Sequence, residues 1–164
     1  MELPSLELSC FGPPTARLGG RDPPPDVVWR KHLALLIYLA LSADRTRSRE
    51  HLLGLLWPEK TDAQARHSLN EALRRLRASL GADRLVSQGD AITLTGDGLA
   101  VDAARFEALA ATRSSEAAAL VRGDFLEGFA LDDAPAFEEW AAAERSRYRS
   151  RSAATIASLF GKYW

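Results

Sequence analysis

The hydrophobic positions of this 164-residue chain have their clearest periodicity over residues 62–80. Apolar side chains recur there about 100° apart, the spacing of one helix face. The positions on that face are Leu69, Ala72, Leu73, Leu76 and Leu80. Thr61 and Gln64 have the spacing of a capping box, and Gly81 follows where a left-handed residue ends many helices. The pattern predicts a helix over 62–80 that is roughly 28 Å long.

Two shorter helices are predicted before it. Residues 29–42 are apolar nearly all round, which indicates a helix buried on most of its sides. After a turn at 44–47, Ser48 stands where it can cap a helix over 49–57, and Pro58 ends that helix. Two short helices followed by a longer third one is the order of a helix-turn-helix motif.

Strand patterns flank these helices. Residues 6–11 alternate between apolar and polar, which predicts a half-buried strand, and residues 15–18 could pair back on it. Residues 84–88 and 91–95 flank Gly89-Asp90, a two-residue turn typical of a β-hairpin. A small antiparallel sheet, three helices and a C-terminal hairpin make an α+β winged helix-turn-helix.

The last third of the chain is predicted to be helical. Asp102 is placed to cap a helix over 103–112, a second helix follows over 114–122, and Pro135 fits the first turn of a third helix. The apolar stripe of this third helix predicts a partner surface, either against the winged helix or against another copy of the chain. The residues of this surface are Trp140, Tyr148, Ile156 and Leu159.

The face of helix 62–80 opposite its apolar stripe is basic. In the major groove of DNA, arginine pairs bidentately with guanine, and asparagine pairs with adenine. The expected base-contacting residues are His67, Asn70 and Arg74. Residues expected at the helix flank or at phosphates are Arg66, Arg75 and Arg77. Further phosphate contacts are expected from Arg45, Arg47, Arg49 and Lys60. A basic surface helix that only faces solvent is the alternative for this pattern alone.

The distribution of charge favours the nucleic-acid interpretation. The net charge of −1 argues against it, but the charge is uneven. Residues 29–80 hold ten Lys or Arg and five Asp or Glu, a net charge of +5, whereas residues 96–164 hold eight and eleven, a net charge of −3. Such asymmetry indicates one basic contact surface beside an acidic module. The alternating arginines of residues 145–151 spread around their helix, so we expect them to face solvent.

The sequence offers little catalytic chemistry. It has no Gly-rich phosphate loop and no nucleophile elbow, and its single cysteine, Cys10, lies on a predicted strand. The three histidines lack the pairing of metal ligands. We therefore expect no enzyme activity, no cofactor and no metal. A basic leader is absent, and the longest apolar run has nine residues, too short to span a bilayer, so we expect a cytoplasmic protein.

Residues 48–81, SREHLLGLLWPEKTDAQARHSLNEALRRLRASLG, resemble the DNA-binding domain of the Streptomyces antibiotic regulatory proteins (SARPs), whose winged helix is of the OmpR type. LELSCFGPP at 6–14 resembles the opening strand and Gly-Pro turn of that family. VDAARFEAL at 101–109 and residues 120–149 resemble the bacterial transcriptional activator domain that follows it. By position, Arg74, Arg75 and Arg77 match recognition-helix arginines of the winged-helix class.

This resemblance implies a winged-helix DNA-binding domain over residues 1–98 and a partial, tetratricopeptide-like activator domain over residues 99–164. It implies a transcriptional activator that binds double-stranded promoter DNA, often at direct repeats, and contacts RNA polymerase. The wing tip, residues 88–90, lacks the basic residue and Gly-Tyr of typical family wings. The family's activator domain also has more helices. The alternative is therefore a shortened interaction module that dimerises with full-length regulators or antagonises them without binding DNA strongly.

Overall fold

The structure is a computed structural model that describes residues 3–161. Within that range the chain forms a mixed α+β fold with two small sheets and a C-terminal helical region, as the sequence predicted. The strands are β1 (Leu6–Ser9), β2 (Thr15–Leu18), β3 (Thr46–Ser48), β4 (Leu85–Gln88), β5 (Ala91–Leu94) and β6 (Leu99–Val101). The helices are α1 (Arg30–Ala40), α2 (Arg49–Leu56), α3 (Asp62–Leu80), α4 (Asp102–Leu109), α5 (Ser114–Leu120) and α6 (Pro135–Gly161).

Helix α1 is the buried centre of the winged helix. Every residue from His32 to Ala40 is buried, which agrees with a segment that is apolar on nearly all sides. The helix is shorter than predicted at both ends, because Trp29 already has an extended backbone and Leu41 leaves the helix. Helix α2, the short 3-10 turn at residues 25–28 and strand β5 pack on α1.

Helix α3 has the predicted bounds and the predicted cap. The Thr61 hydroxyl accepts from the backbone N–H of Gln64, and the Gln64 amide oxygen accepts from the N–H of Thr61, both at 3.3 Å. The prediction of a left-handed cap at Gly81 is wrong, because its ψ is 141° although its φ is +110°. Glycine is still favoured there, because its φ of +110° lies in a range that residues with a Cβ rarely adopt.

Two three-stranded sheets frame the helices, with strand orders β2-β1-β6 and β3-β5-β4. The β4–β5 hairpin is confirmed, and Gly89 takes the positive φ of +60° that its turn needs. Two strands were not predicted. Strand β3 includes the last two residues of the expected turn at 44–47 and pairs with β5, and β6 runs parallel to β1. Each of the two has only three residues, too few to show an alternation.

The sheet formed by β2, β1 and β6 connects the two halves of the chain. Leu6 pairs with Leu99, and residues on both sides of position 98 belong to one hydrophobic cluster. Asp102 strengthens this junction. It is the first residue of α4 rather than its cap, and its carboxylate accepts from the backbone N–H groups of Cys10 (2.7 Å) and Phe11 (3.0 Å). The division into two domains between residues 98 and 99 stays a prediction.

A second unpredicted clamp is the buried side chain of Arg84, which is fully inaccessible to solvent. Its Nη1 donates to the carbonyl oxygens of Thr95 (2.8 Å) and Asp97 (2.6 Å), and its Nη2 donates to that of Pro4 (2.7 Å). Burial lowers the pKa of this guanidinium. The side chain therefore joins the N-terminal segment to the segment between β5 and β6.

Helix α6 packs its apolar face on the same chain. The Trp140 ring meets Tyr38 of α1 edge-on with centroids 4.8 Å apart. Tyr148 is 3% exposed and lies against Phe11 and Phe125, with centroids 5.2 and 5.1 Å apart. Trp140 and Tyr148 therefore pack on the chain's own winged helix, which is one of the two alternatives that the sequence predicted. Their stripe is already covered by the chain's own winged helix and by the segment before α6.

Beyond this packing, the end of α6 keeps apolar side chains near solvent. Ile156 is 44% exposed and Leu159 is half-buried. At the other end, Lys31 of α1 forms ion pairs with Asp133 (3.0 Å) and Glu59 (3.1 Å) and so joins α1 to the segment before α6. Within residues 3–161, no helix is both long enough and apolar enough to cross a membrane.

Candidate nucleic-acid interface

The outward face of α3 is an exposed basic surface of the winged helix. His67, Asn70 and Arg74 are exposed, as is Arg66 at the flank. Their opposite neighbours, Leu69 among them, are buried. The sequence prediction of a helix with one apolar and one polar face is confirmed. The base-contacting roles of the three residues stay predictions.

Arg74 is held in a fixed orientation by Glu71, one helical turn earlier. Its Nε and Nη2 donate to the two carboxylate oxygens of Glu71 at 3.0 and 2.9 Å. The pair is exposed, with 63% of the Arg74 side chain and 40% of the Glu71 side chain accessible. The hydrogen bond from Arg74 lowers the pKa of the Glu71 carboxyl, so this group is ionised at neutral pH. Glu71 was not among the predicted site residues, although its i,i+3 spacing from Arg74 indicates the pair.

Arg75 lies at the edge of this face. Its guanidinium is 5.0 Å from the centroid of the Trp29 ring, 3.6 Å from a carboxylate oxygen of Asp26 and 3.7 Å from one of Glu71. These contacts connect α3 to the turn that precedes α1. Arg75 therefore lies at the edge of this face, as the sequence predicted, and not at its centre.

Arg77 supports the wing. Its Nε donates to the carbonyl oxygen of Leu85, and its Nη2 donates to the hydroxyl of Ser87, both at 2.8 Å. Both acceptors belong to β4, an edge strand whose free carbonyl groups would otherwise face solvent. Arg77 therefore joins α3 to the hairpin. This role was not predicted, because the two acceptors become neighbours of Arg77 only in the folded chain.

Two of the predicted phosphate-binding residues lie beside α3. Arg49 donates from Nη2 to the amide oxygen of Asn70, and its backbone N–H donates to the carbonyl of Asp90 in the wing turn (2.7 Å). Lys60 donates to the Ser68 hydroxyl at 2.7 Å. The structure thus places Arg49 and Lys60 next to the predicted recognition face.

The other two predicted phosphate contacts are directed elsewhere. Arg45 donates from Nε to the carbonyl of Leu94 (3.0 Å), and Arg47 donates from Nε to the hydroxyl of Ser42 (3.0 Å) while its guanidinium covers the Tyr38 ring at 5.1 Å. Both side chains face the C-terminal end of α1, not α3. The phosphate contacts of Arg45 and Arg47 stay predictions. The sequence shows that Arg45 and Arg47 lie in a turn between two helices, but it does not show in which direction their side chains point.

The wing tip is exposed but carries no cation. Gln88, Gly89 and Asp90 are all solvent-exposed, and Asp90 contributes a negative charge. Arg77 lies at the base of the hairpin and is used internally. Positive charge for DNA is therefore concentrated on α3 and on the start of α2.

Comparisons with known proteins agree with this geometry. Residues 28–96, which run from just before α1 to just after β5, match the family described as "Transcriptional regulatory protein, C terminal". A search of curated proteins finds no significant match. One solved structure with the same fold is Mycobacterium tuberculosis EmbR in complex with a low-affinity phosphopeptide, with a TM-score of 0.63 and 22% sequence identity. The similarity covers 96% of this chain, which spans half (50%) of that longer chain.

The family match indicates that residues 28–96 form a winged-helix DNA-binding domain of a transcriptional regulator, and the solved structure agrees in fold. The matched family consists of regulators and not of enzymes, as the sequence predicted. Within residues 3–161, no cluster of three or more metal-ligating side chains is present.

Proposed function

We propose that this chain is a sequence-specific transcriptional activator of the SARP type that inserts α3 into the major groove of promoter DNA. The observation that carries the proposal is the exposed basic face of α3, set between the start of α2 and a β-hairpin, within the region that matches the regulator family. An α-helix fits the width of the major groove of B-DNA. In helix-turn-helix proteins the second helix of the motif makes the base contacts.

Binding would begin with phosphates and end with bases. Arg49, Lys60 and Arg66 would neutralise phosphates around the groove, and phosphate contacts fix register without selecting sequence. His67, Asn70 and Arg74 would then meet base edges. In the free protein the Asn70 amide oxygen is already bonded to Arg49. Docking would therefore exchange that bond for contacts with DNA.

The second half of the chain would serve the regulator as part of an activator domain. In this proposal residues 1–98 bind DNA, and residues 99–164 form a partial tetratricopeptide-like domain that contacts RNA polymerase. The packing of Trp140 on Tyr38 supports a fixed orientation of α6 relative to the winged helix. A contact on one part would then be aligned with DNA bound to the other.

The test is a selection from random 20-base-pair duplexes with the full chain, followed by binding measurements on the selected and scrambled duplexes at two salt concentrations. We expect a consensus sequence and binding that weakens as salt rises, because phosphate neutralisation releases counterions. Arg49→Ala should weaken both duplexes alike and lower the salt slope by about 1. Arg113→Ala, far from α3, is the matched control. Failure to enrich any sequence would contradict the proposal.

One observation favours the alternative of an interaction module that dimerises with or antagonises larger regulators. The wing tip has no cation, and Arg74 and Arg77 are paired within the chain. A homodimer through the C-terminal helices would use Ile156 and Leu159, since Tyr148 is buried internally. Sedimentation equilibrium of the chain and of Ile156→Asp separates the cases. A dimer that Ile156→Asp dissociates, without selective DNA binding, would favour the alternative.

A further inference from the structure

The recognition face of α3 contains a carboxylate that the proposed function does not use. Glu71 lies beside His67 and Arg74 on the outward surface, and 40% of its side chain is accessible. A carboxylate facing DNA is repelled by phosphates, so its presence at this position weakens binding to DNA in general. A hydrogen bond from a donor group of DNA to this carboxylate would offset the repulsion.

The geometry of the Glu71–Arg74 pair leaves hydrogen-bonding capacity on both partners. Glu71 accepts from the Nε and Nη2 edge of the guanidinium. A guanidinium has five N–H donors, so the edge formed by Nη1 and the second Nη2 hydrogen remains available for another bidentate contact. Each carboxylate oxygen likewise has two lone pairs and uses one. The pair therefore presents donors and acceptors side by side.

This arrangement is complementary to the major-groove edge of one G·C base pair. Guanine offers two acceptors there, N7 and O6, and the paired cytosine offers one donor, the N4 amino group. Resting on the proposed function, we propose that Glu71 is a specificity-determining residue that accepts a hydrogen bond from cytosine N4 while it holds Arg74 against guanine. An A·T base pair in either orientation would leave at least one group of Arg74 or Glu71 opposite a base atom with which it cannot form a hydrogen bond.

Glu71 would act mainly by rejecting wrong sequences. Opposite a thymine O4 or a guanine O6, the carboxylate would meet a second acceptor, and neither group could supply the missing proton. Specificity of this kind rests on repulsion as much as on attraction. It predicts that removal of Glu71 improves binding to random DNA while it weakens discrimination at one base pair.

The experiment compares the wild-type chain with Glu71→Ala and Glu71→Gln in the same random-duplex selection and in titrations of every single-base-pair variant of the selected duplex. Glu71→Ala should lose a G·C preference at one position by roughly 5- to 150-fold. Its affinity for scrambled duplex should rise several-fold. Glu71→Gln, which keeps one acceptor without the charge, should lie between the two. Glu116→Ala removes another exposed i,i+3 ion pair, with Arg113, and serves as the control.

A chemical probe separates contact with cytosine from an effect through Arg74 alone. In a duplex, N4-methylcytosine carries its methyl group in place of the N4 hydrogen that projects into the major groove, and Watson–Crick pairing is kept. This substitution at the recognised position should lower the affinity of the wild-type chain about tenfold, within the range for a base contact, but that of Glu71→Ala much less.

Equal losses in both proteins, or an unchanged base preference in Glu71→Ala, would overturn the inference while the proposed function stands. If the wild-type chain selects no sequence at all, the proposed function fails, and this inference fails with it. Circular dichroism of each variant checks that α3 is still folded, which we expect because Glu71 is 40% accessible and its ion pairs are with Arg74 and Arg75 of the same helix.

Discussion

Helices α3 and α6 each carry four arginines but use them differently. Those of α3 are Arg66, Arg74, Arg75 and Arg77, and those of α6 are Arg145, Arg147, Arg149 and Arg151. On α6 the acceptors mostly come from other elements. Arg145, for example, donates to the carbonyl oxygen of Phe125 at 3.0 Å. On the exposed face of α3, the main partner of Arg74 is Glu71 of the same helix.

The difference shows what an ion pair does for the fold. Arg149 pairs with Asp124, 25 residues earlier, and Arg147 and Arg151 both pair with Glu107 of α4. These contacts attach α6 to the preceding elements. Arg147, Arg149 and Arg151 are also exposed, as the sequence predicted, so ion pairing and solvent exposure occur together on this helix. The pair between Arg74 and Glu71 attaches nothing to anything else. DNA can therefore engage the remaining donors and acceptors of this pair without loosening the fold.

The largest effect on stability is expected at Arg84, the arginine whose fixed role is clearest. Arg84→Leu removes donors to three carbonyl groups in a buried place, and each unsatisfied acceptor is costly. We expect a loss of about 3–5 kcal/mol in the free energy of unfolding, measured by urea denaturation. Arg105→Leu, on the exposed surface of α4, is the matched control. A loss no larger than that of the control would contradict the clamp.

Arg74→Ala tests the arginine of α3 whose ion pair joins no other element to the helix. Affinity for the selected duplex should fall roughly 5- to 150-fold, because a bidentate base contact is lost. Affinity for scrambled DNA should fall much less, and the urea midpoint should not change. Fluorescence anisotropy with both duplexes measures the ratio. Equal losses on the two duplexes would exclude a base contact and leave Arg74 as a phosphate ligand.

Arg145→Ala should show the reverse behaviour. The side chain donates to the carbonyls of Phe125 and Leu126 in a partly buried place. We expect a loss of about 1–2 kcal/mol in the free energy of unfolding, with DNA affinity unchanged under conditions where the protein is folded. Arg145→Lys, which keeps the charge but not the fork of donors, should recover only part of the stability. A drop in DNA affinity at constant stability would place Arg145 in the interface instead.

The comparison also explains which features the sequence predicted correctly. The bounds and cap of α3 depend on Thr61, Gln64 and an apolar stripe, all within one segment. The spacing of Glu71 and Arg74 is equally local. By contrast, β6 is defined by pairing with β1, more than 90 residues earlier, and nothing near Arg84 indicates that three distant carbonyls surround it.

The apolar stripe on α6 was predicted only in part. Its periodicity correctly indicated that Trp140 and Tyr148 seek apolar contacts, but periodicity does not name the contact. The covering residues are Tyr38 from α1 and Phe11 and Phe125 from two separate loops. Only the folded chain brings these three together. Of the two alternatives that the sequence left open, Trp140 and Tyr148 therefore make the contact within the chain.

The smallest effect is expected from pH, at the ion pair that joins α1 to the segment before α6. The hydrogen bond from Lys31 lowers the pKa of Asp133 below its ordinary value of 3.8. The contribution of the pair to stability is therefore fully present above pH 3.8 and is lost as the pH falls through the lower pKa of the folded state. Asp133→Asn should lower the urea midpoint slightly at neutral pH, and the difference from wild type should shrink in acid. Asp132→Asn, which removes the neighbouring exposed carboxyl, is the control. A difference that is constant with pH would mean that Asp133 acts through packing instead of charge.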